Sequence, residues 1–385
     1  MEPSDSGYIG YESESFHRKG ISLDEAKVKA LFTFYRPDLV VGFVDTLKEI
    51  ERGFNNKVYR VEITHAGAES SSTYAIRLSN AKTWPNVKVR NEIASLQYIR
   101  RNVQFPTPTV IFASEPTNES GLHPEFGVIC MEWMPGDILT ELLWEKKLDS
   151  DAKRQALVED LVSCVEQMAK LRFEKVGSVV GYDPETNTAV IGPSFEPAPE
   201  FAGPFDSISA SILAQFTDFS TRLIKDHELP ESEGRLAPLV EFIEPIRKVL
   251  TDSMPYFDKC PIVAVHGDFC GRNILVDPST GRISAVLDWE WLAAWPQPYE
   301  WLRGFDDMPE TLKSQVETLA EKRGIRKLPD EDTYQRIYQI FTLIDYLSPW
   351  DVHAHFTQKG FPCDVEKSVK EAVRQLKNAL GEEES

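Results

Sequence analysis

The segment from Val263 to Glu290, VAVHGDFCGRNILVDPSTGRISAVLDWE, leaves fewer ways to fold than any other part of the chain. Two short apolar stretches, Asn273 to Asp277 and Arg282 to Asp288, flank Pro278-Ser279-Thr280-Gly281, a turn-forming sequence, and predict an antiparallel hairpin. Folding back at that turn brings Asn273, which opens the first strand, to the same end as Asp288, which closes the second. An amide oxygen and a carboxylate converge there, both hard oxygen ligands suited to Mg²⁺. Asp268 lies five residues before Asn273, in a loop that begins where the apolar run Ile262 to Val265 stops, so it joins them. An aspartate with an ordinary pKa of about 4 is ionised at neutral pH and can orient or accept the proton of an attacking hydroxyl, while the other two groups hold a metal that bridges nucleotide phosphates.

Around this segment the chain divides into two lobes of an α+β fold. Residues 1–35 read as an N-terminal extension: Met1 to Gly20 is too polar to offset its ordering entropy, and a helical pattern follows from Leu23 to Tyr35. Residues 36–133 read as a small lobe. Lys57 to Thr64 and Thr73 to Leu78 are paired strands, Val87 to Arg101 is one amphipathic helix with Val89, Ile93 and Leu96 on its apolar face, and Thr109 to Ala113 and Gly127 to Met131 are further strands. Glu132-Trp133-Met134-Pro135-Gly136 suits neither strand nor helix and marks the lobe boundary. Residues 134–385 form a larger, mainly helical lobe holding the hairpin, with Pro184 to Pro204 as a long surface loop.

Composition narrows the partners. Sixty-one acidic against 42 basic side chains give a net charge of −19, which repels phosphate backbones, so nucleic acid is not an expected partner. Five scattered cysteines without a C-x-x-C pair indicate neither a disulfide framework nor a zinc knuckle. The acidic start lacks a secretory pattern and no stretch has the apolar length of a membrane span, so a cytoplasmic protein without a membrane partner is expected.

H-G-D-x-x-x-x-N followed by D-W-E resembles the catalytic and metal-binding segments of the aminoglycoside phosphotransferase and choline kinase family, relatives of the protein kinases. The resemblance implies a two-lobed protein-kinase-like fold, with an antiparallel sheet and one helix in the small lobe. It makes Asp268 the catalytic base and Asn273 and Asp288 the magnesium ligands. Arg52 to Tyr59, RGFNNKVY, stands where such folds cover the nucleotide phosphates, which points to Gly53, Asn55 and Asn56, although Gly53 is its only glycine. In Thr73 to Leu78, TYAIRL, Arg77 takes the place of the phosphate-pairing lysine, and its planar fork differs in reach from an ammonium. Glu92, at the border of the apolar helix face, is the expected partner of Arg77. Glu132 and Met134 fall on the hinge whose backbone would read adenine.

Neighbouring residues have structural readings. His266 is expected to steady the loop through a hydrogen bond, and Trp289 to pack. Glu290 is left between metal, substrate and a backbone group, and Trp291, Trp295, Tyr299 and Trp301 are core aromatics before they are a cation-binding cage. The resulting expectation is an ATP- and Mg²⁺-dependent phosphotransferase that moves the γ-phosphate to a hydroxyl of a small molecule, with a cationic acceptor favoured by the net charge. The alternative is a nucleotide-binding regulatory module without transfer activity, motivated by Arg77 and the glycine-poor loop.

Overall fold

A computed structural model of the chain describes residues 20–50, 56–80, 87–117, 124–194, 202–305, 307–325, 331–357 and 363–381. Residues 1–19, and with them most of the expected extension, lie outside this set. The small lobe comprises α1 (Glu25–Tyr35), β1 (Val41–Ile50), β2 (Asn56–His65), β3 (Ser71–Asn80), α2 (Val87–Asn102), β4 (Val110–Ser114) and β5 (Phe126–Glu132). Its strands form an antiparallel sheet in the order β1-β2-β3-β5-β4. Alternation along β2 and β3 sends Tyr59, Val61, Ile63, Tyr74, Ile76 and Leu78 to one face, where they pack with Val28, Leu31 and Phe32 of α1. Asp24 starts α1 by accepting the Lys27 amide at 2.8 Å. The helix is therefore a layer packed on the small lobe's sheet, and Ile21 ahead of it is itself buried.

Strand β1 escapes the sequence pattern because two irregularities, between Val41 and Phe43 and between Val44 and Thr46, break its period of two.

The larger lobe runs through β6 (Asp137–Ile138), α3 (Leu139–Trp144), α4 (Asp151–Lys170), β7 (Gly177–Asp183), β8 (Thr188–Gly192), α5 (Ile208–His227), α6 (Ala237–Val240) and α7 (Ile243–Phe257). It continues with β9 (Ile262–Val265), β10 (Ile274–Val276), β11 (Ile283–Val286), β12 (Ala293–Pro296), α8 (Pro298–Arg303), α9 (Glu310–Lys322), α10 (Glu331–Leu347), α11 (Trp350–Thr357) and α12 (Val365–Leu380). The predicted hairpin is β10–β11, antiparallel with Ile274 opposite Val286, and β6 extends it to three strands. A second small sheet, β8-β7-β12-β9, overturns part of the expected Pro184 to Pro204 loop: Thr188–Gly192 pairs with β7 across a turn in which Asp183 accepts the Glu185 amide at 2.9 Å. Such a short strand beside a proline- and glycine-rich stretch carries too little periodicity to be seen. The larger lobe thus holds two small sheets and not a lone hairpin.

One apolar cluster lies around α4, β10, β11 and α9, another around α5, α7, α10 and α12. Helix α2 bridges the lobes, packing along β7 and the turn that follows β11. Among the described residues no helix is long and apolar enough to cross a membrane, and no two cysteines are bonded. Because Phe32 is completely buried between helix and sheet, Phe32→Ala is expected to cost ~3–5 kcal/mol in urea unfolding. A loss below ~1 kcal/mol would make α1 an appendage.

Candidate active site

The loop between β9 and β10 is built to hold Asp268 still. Gly267 adopts φ +80°, and a Cβ there would come within 3.1 Å of Trp291, so the chain turns where only glycine fits. His266 is wholly buried. Its Nδ1 accepts the Asp268 amide at 3.2 Å and its Nε2 donates to the Leu287 carbonyl at 2.9 Å. These bonds define a neutral imidazole with the proton on Nε2, and burial depresses its pKa to about 4. The expected structural hydrogen bond is thus present, with a second beside it. Asn273 donates from Nδ2 to both the carbonyl and Oδ2 of Asp268, at 2.9 and 2.8 Å. Leu287 donates its amide to the Asn273 carbonyl at 2.8 Å. The backbone of Leu287 is thus held from both sides, and the next residue, Asp288, is set against Asn273. Asp288 itself lies in the left-handed region at φ 62°, ψ 59°, a conformation aspartate tolerates better than most residues.

Glu300, at the start of α8, closes the loop from below. Its Oε2 accepts the His266 amide at 2.5 Å, while its buried Oε1 has no partner among the described residues. Burial raises its pKa to about 8 against the pull of the His266 and Gly267 amides, so at neutral pH the carboxyl is mainly protonated.

The small lobe meets this hairpin through charge. Arg77 of β3 donates from Nη1 to Asp288 Oδ1 at 2.8 Å and from Nη2 to Glu290 Oε2 at 2.9 Å, and it also bonds Glu92 of α2. The expected Arg77–Glu92 pair is therefore made. Lys88, one turn earlier on α2, reaches Glu290 Oε1 at 2.7 Å. Arg77, Glu92, Glu290 and Lys88 are each at most 5% exposed, whereas the Asp288 side chain is 30% exposed. Two cations against three carboxylates leave one negative charge, and Asp288 is the member that meets solvent.

Glu290 joins the turn after β11 to β3 and α2, with Oε2 on Arg77 and Oε1 on Lys88. Neither Glu290 in this role nor Lys88 was anticipated. The signal for Lys88 was in the helix, where Lys88, Asn91, Glu92 and Ser95, all buried, repeat at i, i+3, i+4 and i+7 as a polar stripe. Arg272 also went unread. Its Nη2 bonds Asp268 Oδ1 at 2.6 Å.

The remaining predicted positions are less convergent. Gly53 and Asn55 lie outside the described residues. Asn56 is buried and its Oδ1 accepts the Ser79 hydroxyl at 2.8 Å, which commits it to the sheet. At the hinge, the amides of Glu132 and Trp133 are taken by the carbonyls of Thr109 and Thr73, so Met134 is the first position beyond the sheet's hydrogen bonds. Trp295, Tyr299 and Trp301 are core, as expected, and Trp289 packs 4.5 Å from the His266 ring.

A metal would find Asn273 Oδ1, left over once Nδ2 is bound to Asp268, and Asp288 Oδ2, left over once Oδ1 is bound to Arg77. Two hard oxygens fit Mg²⁺, which keeps waters and takes phosphate oxygens for its other positions. Among the described residues no cluster of three or more His, Cys, Asp or Glu offers a closed cage.

A five-stranded sheet with a bridging helix, a connector, and a hairpin-bearing helical lobe together define a protein-kinase-like fold. The chain belongs to the phosphotransferase enzyme family of aminoglycoside phosphotransferases, whose model matches residues 46–293. Its fold is that of small-molecule phosphotransferases. The aminoglycoside phosphotransferase APH(2")-IIia, solved with GDP and kanamycin, superposes with a TM-score of 0.56 at 14% identity, covering 92% of this chain and 98% of its own. An ethanolamine kinase from Plasmodium vivax gives 0.54 at 15%, covering 94% and 90%. Macrolide 2'-phosphotransferase MphH from Brachybacterium faecium gives 0.50 at 16%, covering 93% and 99%. No curated protein matches the chain in sequence.

The two buried groups have opposite pH signatures. Glu300, raised from 4.5 to about 8, binds more protons folded than unfolded between those values, so its contribution to stability falls as pH rises through them. His266, lowered from 6.5 to about 4, loses its contribution as pH falls through that window. Above 6.5 only the Glu300 slope remains. Thermal midpoints measured from pH 6.5 to 8 are expected to decline in the wild type and to flatten in Glu300→Gln; parallel slopes would refute the assignment.

Proposed function

We propose that this protein transfers the γ-phosphoryl group of ATP to a hydroxyl of a small molecule. The observation that carries the reading is the assembly of Asp268, Asn273 and Asp288 around the held backbone of Leu287, with Asp288 tied to Arg77. Asp268 orients the acceptor hydroxyl and takes its proton. Asn273 and Asp288 hold Mg²⁺, which supplies charge neutralisation and alignment of the phosphates. Glu92, Glu290 and Lys88 keep Arg77 in position beside Asp288. The backbone at Met134, the first position beyond the sheet's hydrogen bonds, receives adenine, while Glu132 is tied into the sheet, and the loop containing Gly53 and Asn55 covers the phosphates. The net charge of −19 favours an acceptor carrying positive charge.

One observation favours the second reading, a nucleotide-binding module without turnover: both terminal nitrogens of Arg77 are already engaged by carboxylates. Thermal-shift titrations with ATP and Mg²⁺, together and separately, address the site first. A magnesium-dependent rise in midpoint that Asp288→Ala loses is expected; no shift at millimolar ATP in folded protein rejects both readings. Asp268→Asn then separates them. It is expected to keep the nucleotide-induced shift and to lose turnover, and unchanged turnover in that variant removes Asp268 as base.

A further inference from the structure

Phosphoryl transfer calls for positive charge on the migrating group, and the cations at this site are not equally able to supply it. Among the described residues three cations are bonded to the four site carboxylates Glu92, Asp268, Asp288 and Glu290. Arg77 is 5% exposed, with Nη1 on Asp288 and Nη2 on Glu92 and Glu290. Lys88 is fully buried against Glu290. Moving either toward a phosphate would leave buried carboxylates uncompensated, at a cost of several kcal/mol. Arg272 is different. Its side chain is 43% exposed, and its guanidinium rests on two partly exposed carboxylates, Asp268 at 2.6 Å and Asp307 at 3.8 Å.

The base of that side chain is nonetheless rigid. Asp307 accepts the Gly271 amide at 2.6 Å and the Arg272 amide at 2.9 Å, and receives the Thr140 hydroxyl at 2.9 Å. A fixed backbone with a long, solvent-facing arm can change partners by torsion alone.

We propose that Arg272 is a catalytic residue whose guanidinium passes from Asp268 to the γ-phosphoryl group of the bound nucleotide, freeing Asp268 Oδ1 for the acceptor hydroxyl. This rests on the phosphotransferase reading of the same site. A hydroxyl bonded to Asp268 at about 2.6–3.2 Å and lined up about 3–3.5 Å from phosphorus brings the γ-phosphoryl oxygens within reach of the Arg272 side chain. On the phosphoryl group the planar fork of the guanidinium matches two oxygens. In the step itself, a bond forms between the hydroxyl oxygen and the γ-phosphorus, and the bond from that phosphorus to the β,γ-bridging oxygen breaks. The electron pair leaves with ADP and the hydroxyl proton passes to Asp268. Arg272 thus links arrival of the third phosphate to release of the base.

The test compares wild type, Arg272→Gln and Arg272→Lys by calorimetric titration with Mg²⁺–ATP and Mg²⁺–ADP, and by phosphate release from Mg²⁺–ATP with water as acceptor. Arg272→Gln is expected to bind ADP within twofold of wild type while its preference for ATP over ADP drops about tenfold or more. Phosphate release is expected to fall ~10³-fold and to recover in part with added guanidinium, with Arg272→Lys between the two. An unchanged ATP-over-ADP preference overturns the proposal, whether turnover persists or both nucleotides weaken together, since the latter marks a residue that only props the loop. A folded wild type that binds neither nucleotide overturns the phosphotransferase reading and this proposal with it.

Discussion

Arg77 is the charge on which the arrangement of the two lobes depends. A guanidinium at 5% exposure has lost most of its hydration, and bonds to carboxylates must replace what water gave. Glu92 comes from α2, while Glu290 and Asp288 come from the turn after β11. Satisfying one buried cation therefore fixes sheet, helix and the turn after β11 relative to one another. A lysine in its place would present a single compact ammonium, whereas the planar fork separates Asp288 on one nitrogen from the two glutamates on the other. Lys88 then takes up the second oxygen of Glu290, and burial lowers the pKa of its ammonium against the opposing pull of that carboxylate.

The polar networks of the larger lobe follow the same economy. His266, Asn273 and Glu300 are buried and bonded to backbone, and they aim two partly exposed carboxylates, Asp268 and Asp288, from a frame with little freedom to relax. Groups held this way need no reorganisation when charge develops, which is the condition for electrostatic catalysis. The neutral imidazole of His266 matters here for shape: one nitrogen accepts and the other donates, and a charged ring could not do both.

The arginine that stands in place of the expected lysine is held by three carboxylates, one from α2 and two from the turn after β11. The exposed guanidinium that bonds Asp268 is that of Arg272, four residues further along the same loop. Buried and exposed cations at this site thus come from different elements, a distribution that a residue-by-residue comparison of motifs does not reveal.

Patterns with short reach were readable in the chain. The β10–β11 hairpin followed from a turn sequence between apolar stretches, β2 and β3 from alternation, α2 from its apolar spacing, and the nearness of Asp268, Asn273 and Asp288 from the geometry of a single turn. Strand β1 was hidden by its irregularities, β8 by its length, and the docking of α1 by the fact that periodicity marks a face without naming what covers it. The charge cluster lay further from view. Arg77 and Asp288 are 211 residues apart, and whether Lys88 and Glu290 are solvated or buried depends on two lobes closing on them. Sequence alone determined which groups could do chemistry and which local turns would bring some of them together, because those are properties of neighbouring residues. Only the tertiary structure decided which charges are desolvated and paired and which stay exposed, because burial belongs to the packed whole.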